Sequence, residues 1–146
     1  MKPLLISACL LGTPCRYDGK SKENSDCRAL SKHFQLIPIC PEVMGGLSTP
    51  RPPCERLGNR ILCEDGTDRT QEYNKGAEMA LNLAMENGAL LALLKEKSPS
   101  CGKFFRYDGS FQRKLVQGMG VSAELLSKNG ILVFSENEIE ELIKHQ

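Results

Sequence analysis

Hydrophobic runs of strand length alternate along the chain with segments whose apolar residues recur every three or four positions. Apolar strands are predicted over residues 4–9, 34–40, 61–63, 89–94 and 131–134. Helices are predicted over 25–33 (capped by Ser25 or Asp26), from 68 or 70 to 87, over 120–129 and over 136–145. Strands that alternate with helices are typical of a mainly parallel sheet covered by helices. The pattern therefore predicts one α/β domain over residues 1–146, built on an open sheet flanked by helices.

Residues 41–60 interrupt this pattern. The segment has no hydrophobic period and contains four prolines and three glycines. A loop of this length is uncommon inside a compact domain, and such loops are usually functional where they occur. We therefore expect a long Gly/Pro-rich loop that takes part in function.

Composition narrows the classes of partner. The formal net charge is +1, aromatic residues make up 5% of the chain and tryptophan is absent. A near-neutral chain with few rings is a poor match to a nucleic-acid polymer, so none is expected as a partner. No apolar run approaches the ~20 residues of a membrane span, and residues 1–12 lack a small-residue cleavage site. We expect a cytoplasmic protein with no membrane contact.

The seven cysteines are the unusual feature of the composition. In a reducing compartment, surplus cysteines indicate metal binding, redox chemistry or nucleophilic catalysis. Cys9, Cys40 and Cys101 each lie at the carboxyl end of a predicted strand or just after it. Because the carboxyl ends of parallel strands share one edge of a sheet, these three thiols are predicted to converge on one crevice.

The spacing of these cysteines favours one kind of site. Structural zinc sites usually combine two close Cys/His pairs, which this chain lacks, and His33 and His145 are predicted on helical surfaces. Iron–sulfur clusters accept thiolates from distant parts of a chain, and three thiolates on a four-iron cube leave one iron open. A Cys-x-x-Cys redox motif is absent, although Cys9 and Cys15 remain a candidate redox pair. No histidine is well placed to serve a cysteine hydrolase.

Several dispersed motifs carry a resemblance to a known family. They are Ser-Ala-Cys-Leu-Leu-Gly at 7–12, Cys-Arg-Tyr-Asp-Gly at 15–19, Cys-Pro-Glu-Val at 40–43, Pro-Arg-Pro-Pro at 50–53, Ser-Pro-Ser-Cys-Gly at 98–102, Gly-Met-Gly-Val at 118–121 and Gly-Ile-Leu-Val-Phe-Ser-Glu at 130–136. With these motifs in this order over almost the whole chain, the sequence resembles the thiouracil desulfurase (TudS-type) family.

The resemblance implies a [4Fe-4S] enzyme that removes sulfur from a thiolated pyrimidine nucleobase without net redox chemistry. Water replaces the sulfur at the ring carbon, and sulfide leaves. Carried onto this chain, the cluster ligands are expected to be Cys9, Cys40 and Cys101, with Cys15 as the alternative to one of them. The expected partner is a small-molecule thiolated nucleobase.

The resemblance also implies site residues beside the cluster. Glu42 is the expected acid/base that activates water, and Ser98 is expected to hydrogen-bond the substrate or that water. Contacts to the substrate are expected from Ser7, Ser100 and Arg16. The cysteines expected not to bind the cluster are Cys27, Cys54 and Cys63. Two alternative functions stay open, namely a non-catalytic iron–sulfur or zinc-binding module and a thiol-redox protein.

Overall fold

Strands and helices alternate in the computed structural model, which describes residues 1–146. The strands are β1 (Pro3–Ser7), β2 (Gln35–Ile39), β3 (Cys54–Leu57), β4 (Arg60–Cys63), β5 (Leu91–Leu94), β6 (Phe105–Tyr107), β7 (Leu115–Gln117) and β8 (Leu132–Ser135). The helices are α1 (Ser25–Arg28), α2 (Pro41–Met44), α3 (Thr70–Glu86), α4 (Val121–Lys128) and α5 (Ile139–Ile143), with 3₁₀ turns at Ala8–Leu11, Ala29–Lys32 and Glu136–Glu138. None of the helices has the length and apolar character that crossing a membrane requires.

Four parallel strands form the central sheet in the order β2-β1-β5-β8. One row of side chains crosses all four strands through Ile37, Leu5, Ala92 and Val133. The chain runs from β1 outward to β2 and then returns across β1 to β5. The order of strands therefore reverses between β1 and β5, and ligands of open α/β sheets bind at the carboxyl ends beside such a reversal. The predicted α/β class with a parallel open sheet is confirmed.

Both faces of the central strands are buried, which explains their unbroken hydrophobic sequences. Leu4 and Leu93 belong to one apolar cluster, which packs against Leu142 of α5. Leu5 and Leu94 belong to the opposite cluster, which includes the following side chains of α3 and α4: Ala80, Ala84, Ala123 and Leu126. The predicted strand over 89–94 is shorter than expected, beginning at Leu91.

The structure corrects several local predictions. The segment 41–60 is not a continuous loop, because it contains the single-turn helix α2, the whole of β3 and the first residue of β4. A helix of four residues is too short to show a hydrophobic period. The β6–β7 hairpin was not predicted, since its side chains are mostly exposed and do not alternate. Asn24, rather than Ser25 or Asp26, caps α1 by accepting hydrogen bonds from two backbone N–H groups.

A second antiparallel hairpin, β3–β4, carries two of the cysteines that were expected not to bind a cluster. Cys54 and Cys63 lie directly opposite each other in this hairpin and form a disulfide. The pairing was not predicted, because a cytoplasmic chain of this size was not expected to need one. The other five cysteines are free thiols.

Candidate functional site

A cavity of about 570 Å³ opens at the carboxyl ends of the central strands. This volume is in the usual range for small-molecule sites. Cys9, Cys40 and Cys101 all line the cavity, and Cys15 lines it with them. The predicted convergence of three thiols distant in sequence is therefore present in the structure.

Each of these thiols follows a different strand of the sheet. Cys9 lies in the 3₁₀ turn that continues β1, and Cys40 lies between β2 and α2 as the N-cap residue of that helix. Cys101 lies farther from its strand, in a tight turn where the N–H of Gly102 donates to the carbonyl of Ser98. Strand ends therefore position Cys9 and Cys40 directly, whereas a loop must position Cys101.

The thiols differ in how readily they ionise. Burial, reinforced by the nearby Cys40, raises the pKa of Cys9 to about 11, and burial also raises the pKa of Cys101. A hydrogen bond from the Cys15 thiol, together with the backbone N–H of Val43, lowers the pKa of Cys40 to about 7. The same bond and burial raise the pKa of Cys15. Because metals bind thiolates, Cys40 is the thiol best prepared to bind one at neutral pH.

Close packing of two backbones places the helix that follows Cys40. A Cβ atom added to Gly76 of α3 would lie 1.8 Å from the carbonyl oxygen of Pro41, at the beginning of α2. A Cβ atom added to Gly45 would lie 2.0 Å from the carbonyl oxygen of Glu72. Only glycine at these two positions permits α2 to touch α3, and this contact sets the position of Glu42 in the cavity wall.

Two buried donors hold the carboxylate of Glu42. The hydroxyl of Tyr73 donates to Oε1 of Glu42 at 2.6 Å, and Nε of Arg51 donates to the same oxygen at 3.3 Å. Arg51 also donates to the carbonyl oxygen of Cys15 at 3.0 Å. Both bonds to Glu42 use Oε1, so Oε2 remains available to accept a proton or a hydrogen bond from a ligand in the cavity.

A buried carboxylate organises the loop that carries Cys101. The side chain of Glu96, which is 7% exposed, accepts hydrogen bonds from a set of backbone N–H groups. These belong to Lys97 (3.2 Å), Lys103 (2.9 Å), Phe104 (3.0 Å) and Phe105 (3.1 Å). On the opposite side, N–H groups at the beginning of α4 donate to the carbonyls of Pro99 and Ser100. The loop is therefore fixed by hydrogen bonds from two directions.

Ser98 and Ser7 line the cavity beside Cys101. Oγ of Ser98 accepts from the backbone N–H of Ser100 at 3.0 Å and from that of Cys101 at 2.9 Å. With both acceptor positions in use, the Ser98 hydroxyl is left to act as a donor. Oγ of Ser7 accepts from the N–H of Lys95 at 2.9 Å. Ser7 also forms a hydrogen bond with Cys101, which partly offsets the effect of burial on the pKa of that thiol.

Of the other two predicted substrate contacts, Arg16 lines the cavity and Ser100 does not. Arg16 lines the cavity, where it lies 3.4 Å from Asp18 and over the ring of Tyr17. Ser100 does not line the cavity, because its side chain is fully buried and its Oγ is 2.8 Å from Oγ of Ser122. This placement corrects the expectation for Ser100, since neighbouring side chains of a tight turn point in different directions.

The donor set fits an iron–sulfur cluster better than a single metal ion. No three His, Cys, Asp or Glu side chains are close enough together to hold one ion. In a cluster each thiolate binds a different iron, so the ligands surround an inorganic core and do not share one coordination sphere. His33 contacts Gln146 at 2.6 Å and His145 packs against Phe134, so neither histidine belongs to the cavity.

Tyr73 and Glu96 are the residues of this site that sequence analysis missed. Tyr73 occupies an apolar position in the stripe of α3, where an aromatic side chain indicates only a core residue. Glu96 lies in the charged run 95–97, a pattern typical of a solvated surface. The partner of Tyr73 is 31 residues away, and the partners of Glu96 are backbone N–H groups, which leave no signal in the sequence of side chains.

Comparison with known proteins agrees with this geometry. Residues 4–138 match the 2-thiouracil desulfurase family. A relative from Bacillus subtilis (strain 168), described as uncharacterized protein YbbK, is 39% identical over an alignment of 150 positions, which covers 96% of this chain and 99% of the relative. A solved structure of the [4Fe-4S]-dependent thiouracil desulfidase TudS has a TM-score of 0.95 and 46% identity, covering 99% of this chain and 97% of that one. The chain therefore belongs to the 2-thiouracil desulfurase family.

Proposed function

We propose that this protein hydrolytically removes sulfur from thiolated pyrimidine nucleobases such as 2-thiouracil, using a [4Fe-4S] cluster bound by Cys9, Cys40 and Cys101. The observation that carries the proposal is the meeting of these three thiols with the Glu42 carboxylate in one cavity. Membership of the family and the activity of the solved relative, a thiouracil desulfidase, support the same reaction. The cytoplasmic location and the absence of a nucleic-acid partner stay predictions from composition.

The reaction exchanges one sulfur for one oxygen. A thiocarbonyl and water give a carbonyl and hydrogen sulfide, so no electrons enter or leave. When bound through three thiolates, the cluster supplies an open iron, a Lewis acid suited to a soft thiocarbonyl sulfur. The residues of the chain must then bind the ring, orient water and transfer protons.

Glu42 is proposed to act as the general base. Its Oε2 accepts a proton from water while the water oxygen bonds to the ring carbon, and the carbon–sulfur bond then breaks to release sulfide. Tyr73 and Arg51 hold Oε1 and so orient the second oxygen. Ser98 donates to the water or to a ring oxygen, because its own oxygen already accepts two hydrogen bonds. Arg16 contacts the substrate from the cavity wall.

Cys15 and Ser7 are proposed to support the cluster ligands. The thiol of Cys15 donates to the thiolate of Cys40. When Cys40 is itself protonated, its thiol donates to the carbonyl oxygen of Cys15, which lies 3.7 Å from Sγ of Cys40. Ser7 supports Cys101 in the same way. Each of these two ligands therefore has its own hydrogen-bonding neighbour, which stabilises the charged sulfur that binds iron.

Iron content after anaerobic reconstitution tests the ligand assignment. Replacing Cys9, Cys40 or Cys101 with alanine is expected to abolish retention of four irons, whereas Cys15→Ala is expected to keep them. Cys27→Ala is the matched control, because Cys27 is fully buried but does not line the cavity. Full iron content in any of the three ligand variants would contradict the assignment.

Glu42→Gln tests the reaction itself. Removing a general base is expected to lower kcat for sulfide release from 2-thiouracil by about 10²- to 10⁴-fold while iron content is unchanged. Sulfide and uracil are measured together in wild type and variant. An iron-loaded wild-type protein that releases neither product would favour the non-catalytic binding module, and a variant with full turnover would remove Glu42 from the mechanism.

A further inference from the structure

The Cys54–Cys63 disulfide lies at the wall of the same cavity, although no step above uses it. Cys54 lines the cavity between Pro53 and Glu55, whereas Cys63 does not line it. Both cysteines are buried, and they share an apolar cluster with Tyr73, whose hydroxyl binds Glu42. The disulfide is therefore close to the base in the fold, and only its Cys54 end borders the space that a product would occupy.

We propose that Cys54 is a sulfide-capture site, at which hydrosulfide attacks the disulfide and forms a persulfide. The inference rests on the proposed function for its source of hydrosulfide, which is the product of desulfuration. Hydrosulfide is a small sulfur nucleophile, and disulfides undergo exchange when such a nucleophile attacks one of their sulfurs. Because Cys54 borders the cavity and Cys63 does not, the attacked atom is Sγ of Cys54.

The step balances without an external oxidant. A bond forms between the sulfur of hydrosulfide and Sγ of Cys54, while the bond between Cys54 and Cys63 breaks. The electron pair of the broken bond leaves with Cys63 as a thiolate. Hydrosulfide is oxidised to the level of a persulfide and Cys63 is reduced, so the disulfide supplies the oxidising equivalent.

No other cysteine of the chain is prepared for this role. Cys9, Cys15, Cys40 and Cys101 are thiols, and a thiol cannot take up hydrosulfide without a separate oxidant. Cys27 is also a thiol, and it lies outside the cavity. The disulfide is therefore the one group in the chain that combines access to the cavity with the required oxidation state.

Direct addition of hydrosulfide tests the capture step separately from turnover. Full-length protein is purified anaerobically without thiol reductant, exposed to sodium hydrosulfide, alkylated and digested with trypsin. Cleavage after Arg56 and Arg60 separates the two halves of the disulfide, and fragment ions distinguish Cys54 from Cys40 in the first peptide. We expect about one added sulfur per chain, located on Cys54, with Cys63 alkylated as a free thiol. A thiol added afterwards should remove that sulfur.

Variants of the disulfide show whether Cys54 and Cys63 are required for sulfur uptake. The double variant Cys54→Ser/Cys63→Ser should take up no sulfur, whereas Cys27→Ser should behave as wild type. Three outcomes would overturn the capture proposal. They are an intact disulfide that gains no sulfur, added sulfur found on Cys63 in place of Cys54, and free thiols at both Cys54 and Cys63 before hydrosulfide is added.

A second measurement uses hydrosulfide made by the enzyme from 2-thiouracil. In the first turnover, the wild type should release less sulfide than uracil by up to one equivalent per chain, and the double variant should release equal amounts. Equal amounts from a wild type with an intact disulfide would overturn capture during turnover. A protein that captures added hydrosulfide but releases no uracil would refute the proposed function and leave the capture site standing.

Discussion

The two halves of the candidate site are held in place by different forces. The half formed by Cys40 and Glu42 stands on α2, whose backbone touches that of α3 at Gly76. The half formed by Ser98 and Cys101 stands on a loop wrapped around the carboxylate of Glu96. Van der Waals contact between two helices fixes the first half. The second half is fixed by hydrogen bonds to the Glu96 carboxylate and from the beginning of α4, together with close backbone contact at Gly120.

This difference predicts which substitutions destabilise each half. A backbone contact has no room for another methyl group, although it depends little on charge. A set of N–H groups around a carboxylate tolerates small changes of shape, but it depends on the acceptor, because unpaired buried donors are costly. A methyl group added at Gly76 should therefore damage the α2 half, and loss of the charge of Glu96 should damage the loop half and leave the α2 half in place.

The largest effect on stability is expected from Gly76→Ala. The new methyl group overlaps the Pro41 carbonyl, so α2 must shift and carry Cys40 and Glu42 with it. Overpacking of this kind costs about 1–3 kcal/mol, which outweighs the gain of about 0.5–1 kcal/mol from alanine in a helix. Chemical denaturation measures the loss, and iron content should fall as well. The exposed neighbour substitution Lys75→Ala should change neither quantity, and an unaffected Gly76→Ala would show that α2 is not held by this contact.

A smaller loss of stability is expected from Glu96→Gln. Glutamine keeps one acceptor oxygen but loses the charge that strengthens the hydrogen bonds to the loop, at a cost of about 1–2 kcal/mol. Glu96→Ala removes every acceptor and should cost more and weaken cluster retention. Glu86→Gln, on the exposed end of α3, is the control. Wild-type stability of Glu96→Gln, with a loss only in Glu96→Ala, would argue against the charge as the source of order.

Tyr73→Phe tests the orientation of Glu42 within the α2 half. Loss of one hydrogen bond to a carboxylate should lower kcat for desulfuration by about tenfold, while KM and iron content stay near wild-type values. Arg51 still holds Oε1 in this variant, so the defect should be smaller than that of Glu42→Gln. A rise in KM with unchanged kcat would indicate that Tyr73 shapes the substrate pocket and does not orient the base.

The smallest effect concerns thiol ionisation in the cluster-free protein. With its pKa lowered to about 7, Cys40 should be mostly thiolate at pH 8, whereas Cys9, with a pKa of about 11, should stay protonated. Alkylation of Cys40 should therefore rise as the pH increases through 7, and that of Cys9 and Cys101 should lag. Peptide mapping after a brief iodoacetamide pulse measures each site.

Two substitutions of Cys15 refine that measurement. Cys15→Ala removes the donor to Cys40 and should move its alkylation midpoint to higher pH, and Cys15→Ser should restore part of the shift because serine also donates. Identical midpoints in all three proteins would show that Cys15 does not influence Cys40.

Much of the site was predictable because its residues follow strands. Hydrophobic runs before Cys9 and Cys40 marked strand ends, and parallel strands place such ends at one edge. Glu42 followed from its motif beside Cys40. The same logic located Cys101 only approximately, since a loop of several residues separates it from β5, and it placed Ser100 at the site although that side chain is buried against Ser122.

The sequence by itself determined the alternation of strands and helices and the burial of both faces of the central strands, because burial leaves a pattern in neighbouring residues. It also determined which thiols meet, because they follow the ends of parallel strands. Only the tertiary structure decided that Tyr73 holds Glu42, that Glu96 gathers the N–H groups of its loop and that Cys54 pairs with Cys63. The first contact depends on how α3 docks against α2, and the other two depend on how a loop and a hairpin fold back on themselves. Both depend on shape and distance in the folded chain, and neither is encoded in the hydrophobic period of a segment.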